Sequence, residues 1–204
     1  MPGKNTIKIY AENTWYHIYN RGVEKRVIFQ DEQDYATFLF FVKKYLSKSS
    51  ILPSKPPHPL SKEIDLSTFC LIPNHFHFLL KQENRDSLTK FMRRLGTNYA
   101  MYFNERYNRV GSLFQGVYKA VLIDSDEQLM QVHRYIHMNP REIGKNPFKY
   151  PYSSYPYYIG EKKADWLRPD FILDYFNSSP KKYQEFLRDY SDEEAERVEE
   201  KMEN

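Results

Sequence analysis

The stretch Cys70–Leu80, CLIPNHFHFLL, limits the possible folds more than any other part of the chain. Pro73-Asn74 is a turn-prone pair set between two apolar runs. A strand from Ile64 to Leu71 and a second from His75 to Lys81 would then form a hairpin. Alternation along the second strand puts Phe76, Phe78 and Leu80 on one face and His75, His77 and Leu79 on the other. The phenylalanines face a helical layer, and the imidazoles are left on the opposite side, about 6.5–7 Å apart along the backbone.

The rest of the chain supplies matching elements. Thr14–Asn20 is aromatic and β-branched and ends at Arg21-Gly22, as a first strand should. Asp31 is a candidate N-cap. Tyr35, Phe38, Leu39, Val42 and Leu46 recur at helical spacing after it. Residues 47–61, rich in Pro, Ser and Lys, read as a flexible insertion. Ser87 is taken as the cap of a second helix buried through Leu88, Phe91, Leu95, Tyr99, Tyr102 and Phe103. Gly111–Ile123 reads as a strand kinked at Gly116, and Asp124-Ser125-Asp126 caps a third helix from Glu127 to Asn139, stopped by Pro140. The order β-α-β-β-α-β matches a split βαβ pattern. The Glu-rich tail from Asp189 is expected to be a free, solvated end rather than a regulatory flap.

Composition narrows the function classes. A formal net charge of +3 carries no polyelectrolyte signal, although 30 Lys and Arg are interleaved with 18 Tyr and 14 Phe. That mixture suits stacking on single-stranded nucleic acid as well as an aromatic core. One cysteine excludes an internal disulfide and a Cys-rich zinc site. No secretory h-region and no membrane-length apolar run is present, so a soluble cytoplasmic protein is expected.

Two histidines on one strand make part of a metal site, and the third helix offers two ways to complete it. His133 and His137 are an i,i+4 pair, and so are Tyr135 and Asn139. Leu129, Val132 and Ile136 form the buried stripe between them, so one pair flanks each side. The first choice gives a four-His transition-metal cluster. The second gives two imidazoles and an amide oxygen beside a tyrosine, whose phenol needs nearby positive charge to act as a nucleophile on a phosphodiester. Helical geometry leaves both open.

The motifs resemble a known family. Asn74-His75-Phe76-His77 resembles the His-hydrophobic-His (HUH) motif of single-strand DNA nucleases. Arg134-Tyr135-Ile136-His137-Met138-Asn139-Pro140 resembles the tyrosine helix of the insertion-sequence-200-like transposases, with the REP-associated tyrosine transposases the most similar branch. Residues 16–22, 91–99, 104–111 and 150–155 fit in the same order, so the likeness spans roughly residues 12–158.

The resemblance implies an α+β, ferredoxin-like palm: a central antiparallel sheet with helices on one face, followed by an extra C-terminal helical segment. Residues 1–158 would be the transposase domain and 159–204 an extension. Tyr135 would be the nucleophile, and His75, His77 and Asn139 would hold Mg²⁺ or Mn²⁺. The product would be a 5′-phosphotyrosine beside a DNA hairpin. Arg21, Arg93, Arg94, Arg106, Arg109 and Lys119 are the candidate phosphate contacts. The implied partner is single-stranded, hairpin-containing DNA, with a homodimer or a monomer both open. A relative that binds hairpins without cutting is the alternative beside the four-His protein.

Overall fold

The structure is a computed structural model that describes residues 10–49 and 58–203. β1 (Thr14–Arg21) leads to α1 (Glu32–Leu46), then to β2 (Ile64–Ile72) and β3 (His75–Gln82). α2 (Ser87–Arg106) and β4 (Lys119–Ile123) complete the palm. The strands lie in the order β2-β3-β1-β4, and every neighbouring pair is antiparallel. β3 separates β1 from β2 and opposes both, so β1 and β2 run parallel. That is the split βαβ unit of the expected ferredoxin-like palm.

Side-chain alternation divides the sheet into two apolar layers. Tyr16, Ile18, Phe76, Phe78 and Leu80 pack with Phe38 and Val42 of α1 and with Phe91, Leu95 and Tyr99 of α2. Phe78 is fully buried, and truncating it to Ala would cost about 3–5 kcal/mol. α1 starts where expected, because the Asp31 carboxylate accepts from the Gln33 and Asp34 amides. Gly22 ends β1 for a steric reason: a Cβ there would lie 2.2 Å from the Arg26 carbonyl oxygen.

The second face is covered as well, which departs from the expectation of helices on one face. α1 and α2 do share one face. α3 (Asp126–Met138) lies on the other with the C-terminal segment, in which α4 (Tyr155–Tyr158) and α5 (Asp170–Leu173) precede α6 (Pro180–Arg188) and α7 (Asp192–Glu203). Cys70, Ile72 and Leu79 of the sheet pack there with Leu129, Val132 and Ile136 of α3 and with Tyr183, Leu187 and Val198 from α6 and α7.

Three local expectations are corrected. Ser87 is the first residue of α2 rather than its cap, and its hydroxyl donates to Glu63 Oε2 at 2.7 Å. The strand expected over Gly111–Ile123 begins only at Lys119, because Gly111 and Gly116 adopt φ of 88° and 84° and break the extended run. The acidic tail is not free: α7 is docked on α3 and holds Val198 in the core. The insertion at 47–61 falls largely on residues 50–57, outside the described residues. Its described ends are anchored, with the Ser49 amide on Asp165 and Leu60 buried in the core.

Candidate active site

Register explains which side chains share a face. β1 pairs with β3 so that Arg21 opposes His75, Tyr19 opposes His77 and His17 opposes Leu79. Lys119 of β4 opposes Tyr19 from the other side. Direct cross-strand partners point the same way, so Arg21, Tyr19, His17, Lys119, His75 and His77 form one polar floor beside the second apolar layer. α3 crosses this floor with its Leu129, Val132 and Ile136 stripe down, and its two polar pairs fall on opposite sides of that stripe.

Tyr135 and Asn139 are the pair that looks toward the strand histidines. The Tyr135 ring meets that of His77 edge-on at 5.5 Å between centroids, within one chain. Asn139 Oδ1 lies 3.1 Å from His75 Nε2. His75, His77 and Tyr135 line a cleft of about 690 Å³ with Tyr19, Arg21, Lys119, Glu142, Glu199 and Met202, and Asn139 lines an adjoining one of about 290 Å³ that shares Tyr135, Glu142 and Glu199 with it.

The hydrogen bonds fix how each donor atom is presented. The Asn74 amide nitrogen donates to the Lys25 carbonyl, which turns its Oδ1 toward His75 Nδ1 at 2.7 Å. Burial lowers the His75 pKa to about 4, so its ring is neutral and carries its one proton on Nδ1. The bare Nε2 then faces Asn139 Oδ1, whose orientation is set by the Asn139 amide nitrogen donating to Glu142. Two lone pairs are aimed into one space, an arrangement that a cation between them would relieve. His77 adds a third atom. Its Nδ1 is 2.9 Å from His17 Nε2, and its buried Nε2 has no hydrogen-bond partner. Burial, then the neighbouring His75 and His17, hold the His77 pKa well below its usual value. Two imidazoles and an amide oxygen therefore fit a divalent cation. Among the described residues, no three His, Cys, Asp or Glu side chains form a metal cluster by themselves.

His17 and Glu142 were not singled out from the sequence. His17 is buried, with a pKa lowered to about 3 by that burial, and holds the ring of His77. A signal for it existed, since His17, Tyr19 and Arg21 alternate onto the face that carries His75 and His77. Glu142 belongs to the short turn Asn139–Ile143 that follows α3. Its carboxylate reaches Asn139, lies 3.4 Å from the Tyr135 hydroxyl and is 3.8 Å from His75 Nε2. Partial burial, then the charge of Glu199, raise its pKa. Tyr135 is held firmly as the neutral phenol, through burial first and the Glu142 and Glu199 charges next.

His133 and His137 are turned away from the strand histidines, so the four-His cluster is not assembled. His133 Nδ1 meets Thr68 Oγ1 at 2.7 Å and its Nε2 meets the Tyr183 hydroxyl at 2.9 Å. His137 Nδ1 bonds the same Tyr183 hydroxyl, and its Nε2 lies 2.6 Å from Ser154 Oγ. All four ring nitrogens are partnered by hydroxyl groups.

The six candidate cations separate in the same way. Arg21 and Lys119 line the cleft. Arg93 lines a neighbouring cleft of about 460 Å³, which shares Asn20, Gly116 and Val117 with the first. Arg94 and Arg106 of α2 and Arg109 just beyond it line neither cleft. The charge of Arg94 acts on Tyr45 and His58. Arg106 bridges Asp31 and the fully buried Asp34 at 2.6 and 2.7 Å, tying α2 to α1. Arg109 donates to Asn104.

A ferredoxin-like palm with a histidine pair on a central strand and a tyrosine on the facing helix defines the class of fold and site. Residues 59–139 match the family model "Transposase IS200 like", a span that contains His75, His77, Tyr135 and Asn139. The chain is thus similar to the IS200-like transposases over β2 to the end of α3. A solved structure of a REP-associated tyrosine transposase bound to a REP hairpin aligns with a TM-score of 0.56 at 14% identity, covering 79% of this chain and 90% of that one. At that identity the likeness is one of fold. A putative transposase from Deinococcus radiodurans aligns at a TM-score of 0.40 and 15% identity, over 64% of this chain and 94% of that one. A tRNA(His) guanylyltransferase from Saccharomyces cerevisiae aligns at 0.42 and 11%, over 96% and 80%. No curated protein matches the chain in sequence. Among the described residues, no helix is long and apolar enough to cross a membrane.

Proposed function

We propose that this protein is a metal-dependent transposase that cuts and rejoins single-stranded DNA beside hairpins through Tyr135. The observation that carries the reading is that, in one chain, Tyr135 packs edge-on against His77, whose Nε2 is unpartnered, while Asn139 Oδ1 faces His75 Nε2. The structure of the REP-associated transposase with a REP hairpin supports a hairpin substrate.

In this mechanism His75, His77 and Asn139 would hold a divalent cation, Mg²⁺ or Mn²⁺, which would supply positive charge to the scissile phosphoryl oxygen. Arg21 and Lys119 orient the flanking phosphates. The Tyr135 oxygen attacks phosphorus and its proton passes to Glu142 Oε1, 3.4 Å away. The P–O3′ bond breaks, the 5′ phosphate stays on Tyr135, and the departing 3′ oxygen takes a proton to become a hydroxyl. Attack by a 3′ hydroxyl on the phosphotyrosine reverses the step and joins strands. Residues 1–158 are the catalytic unit in this reading, with 159–204 an extension packed against it.

A pool of hairpin DNAs with randomised single-stranded flanks, incubated with Mn²⁺, tests the reading. An SDS-stable protein–DNA adduct should form with the native chain and disappear in Tyr135→Phe and on chelation. An adduct that persists in Tyr135→Phe would assign the chemistry elsewhere.

A further inference from the structure

One wall of the Tyr135 cleft lies outside the sheet. β4 begins only at Lys119, so beyond Tyr19 the end of β1 is met by residues 113–116 of the preceding loop. The backbone there is already stapled. The Val23 amide donates to the Leu113 carbonyl at 3.0 Å, the Gln115 amide donates to the Arg21 carbonyl at 2.9 Å, and Gly22 bridges Phe114. Asn20 adds a side-chain clasp. Its Oδ1 accepts from the Arg21 amide at 2.9 Å, and its Nδ2 donates to the Gly116 carbonyl at 3.2 Å.

One contact is left over from this stapling: Arg21 Nε donates to Gln115 Oε1. A guanidinium has donors only, so the Gln115 oxygen faces Arg21 and its Nε2 group points away from it. Among the described residues, no group accepts from the two terminal nitrogens of Arg21 or from Gln115 Nε2. Both side chains line the cleft. They form a set of donors with no acceptor, anchored on a backbone that the loop holds fixed. Arg21 opposes His75 across β1 and β3, and its charge adds to burial in lowering the His75 pKa. The donors thus stand beside one of the candidate metal ligands. A phosphate offers its two non-bridging oxygens to such a fork. Orienting an exposed arginine in advance reduces the side-chain entropy lost when a strand binds.

We propose that Gln115 is a positioning residue for the Arg21 guanidinium, and that the pair clamps one phosphate of the bound strand beside His75, Arg21 through its terminal nitrogens and Gln115 through Nε2. The inference rests on the reading of the cleft as the place where Tyr135 meets DNA. Gln115 carries no charge, yet it decides whether the charge of Arg21 is delivered to a phosphate.

The test reads binding of a fluorescein-labelled pool of hairpin DNAs with randomised flanks to the full chain carrying Tyr135→Phe, titrated over a range of salt. Gln115→Met keeps the length of the side chain and removes both its acceptor and its donor. It should weaken binding about tenfold. It should also lower the slope of log affinity against log salt by up to about 0.7–0.9, the contribution of one phosphate contact, although no charge has been removed. Arg21→Ala should lower the slope by the same amount. With Arg21 already Ala, adding Gln115→Met should cost much less than it does alone and leave the slope unchanged. Gln115→Asn draws the amide back by one methylene and carries the same expectation should Gln115→Met fold poorly. Parental affinity and slope in the Gln115 variants, or losses that simply add to those of Arg21→Ala, overturn the inference while the site reading stands. If the parent chain does not bind the pool and the native chain forms no adduct with it, the site reading fails and takes the inference with it.

Discussion

Tyr183→Phe deletes one oxygen and should unsettle the fold without touching the cleft. Tyr183 comes from α6 and is completely buried. Its hydroxyl is the single link between His133 Nε2 and His137 Nδ1. With both imidazoles neutral, protons can be laid along the chain Thr68, His133, Tyr183, His137, Ser154 in either direction with every donor meeting an acceptor. Burial keeps both rings neutral, pulling His133 to about 3 and His137 well below its usual value. Removing the hydroxyl leaves two buried ring nitrogens without partners, at roughly 1–3 kcal/mol for each unsatisfied group. Allowing for partial relaxation, the expected loss is about 2–4 kcal/mol. For a chain of this size that lowers Tm by roughly 4–16 °C. Calorimetry or urea unfolding followed by circular dichroism measures it. In the folded variant, adduct formation through Tyr135 should remain. A loss below about 1 kcal/mol would refute the argument that this network is a buried structural device. A loss of DNA cleavage at unchanged stability would instead place these histidines in the chemistry.

Two further outcomes follow from the same site. His17→Phe keeps a ring of similar size but removes the partner of His77 Nδ1; Mn²⁺ affinity, read by electron paramagnetic resonance, should fall about 10–100-fold, and unchanged affinity would show that His77 needs no such support. Acid should destabilise the metal-free protein from about pH 6.5 downward. His17 and His133 are near 3 in the folded chain and His75 near 4, all lowered by burial, whereas unfolded histidines titrate near 6.5. Between those values the unfolded chain binds more protons, so stability is complete above pH 6.5 and is lost as pH falls toward 4. The slope is up to about 1.4 kcal/mol per pH unit for each such histidine. A urea midpoint flat from pH 7 to pH 5 would contradict it.

The palm was legible because its signals are local and periodic. Alternation through Phe76, Phe78 and Leu80 and the helical stripe of Leu129, Val132 and Ile136 each identify a buried face without reference to the rest of the chain. The failures were of another kind. Gly111 and Gly116 leave their flanking residues with strand-like character, and only their positive φ shows where extension stops. The bridge from Arg106 to Asp31 and Asp34 was not legible either, because its partners lie some seventy residues away. His17 could have been found by carrying the alternation argument across to the neighbouring strand, since β-sheet register is what turns two separate i,i+2 patterns into one floor.

Glu142 and the tail expose the limit of that logic. Nothing periodic marks a glutamate in a short turn, and its place at the site comes from contacts to Asn139, Tyr135 and His75 that only the fold assembles. The tail was misread because charge density was taken as a measure of solvation. A strongly acidic helix is solvated only if no basic surface competes with water for it. Here Arg134 of α3 and Arg141 of the turn after it offer that surface, and Glu194 and Asp192 pair with them. In this chain the tail's charge is thus matched by a partner surface, and α7 folds where α3 and the turn after it supply that surface.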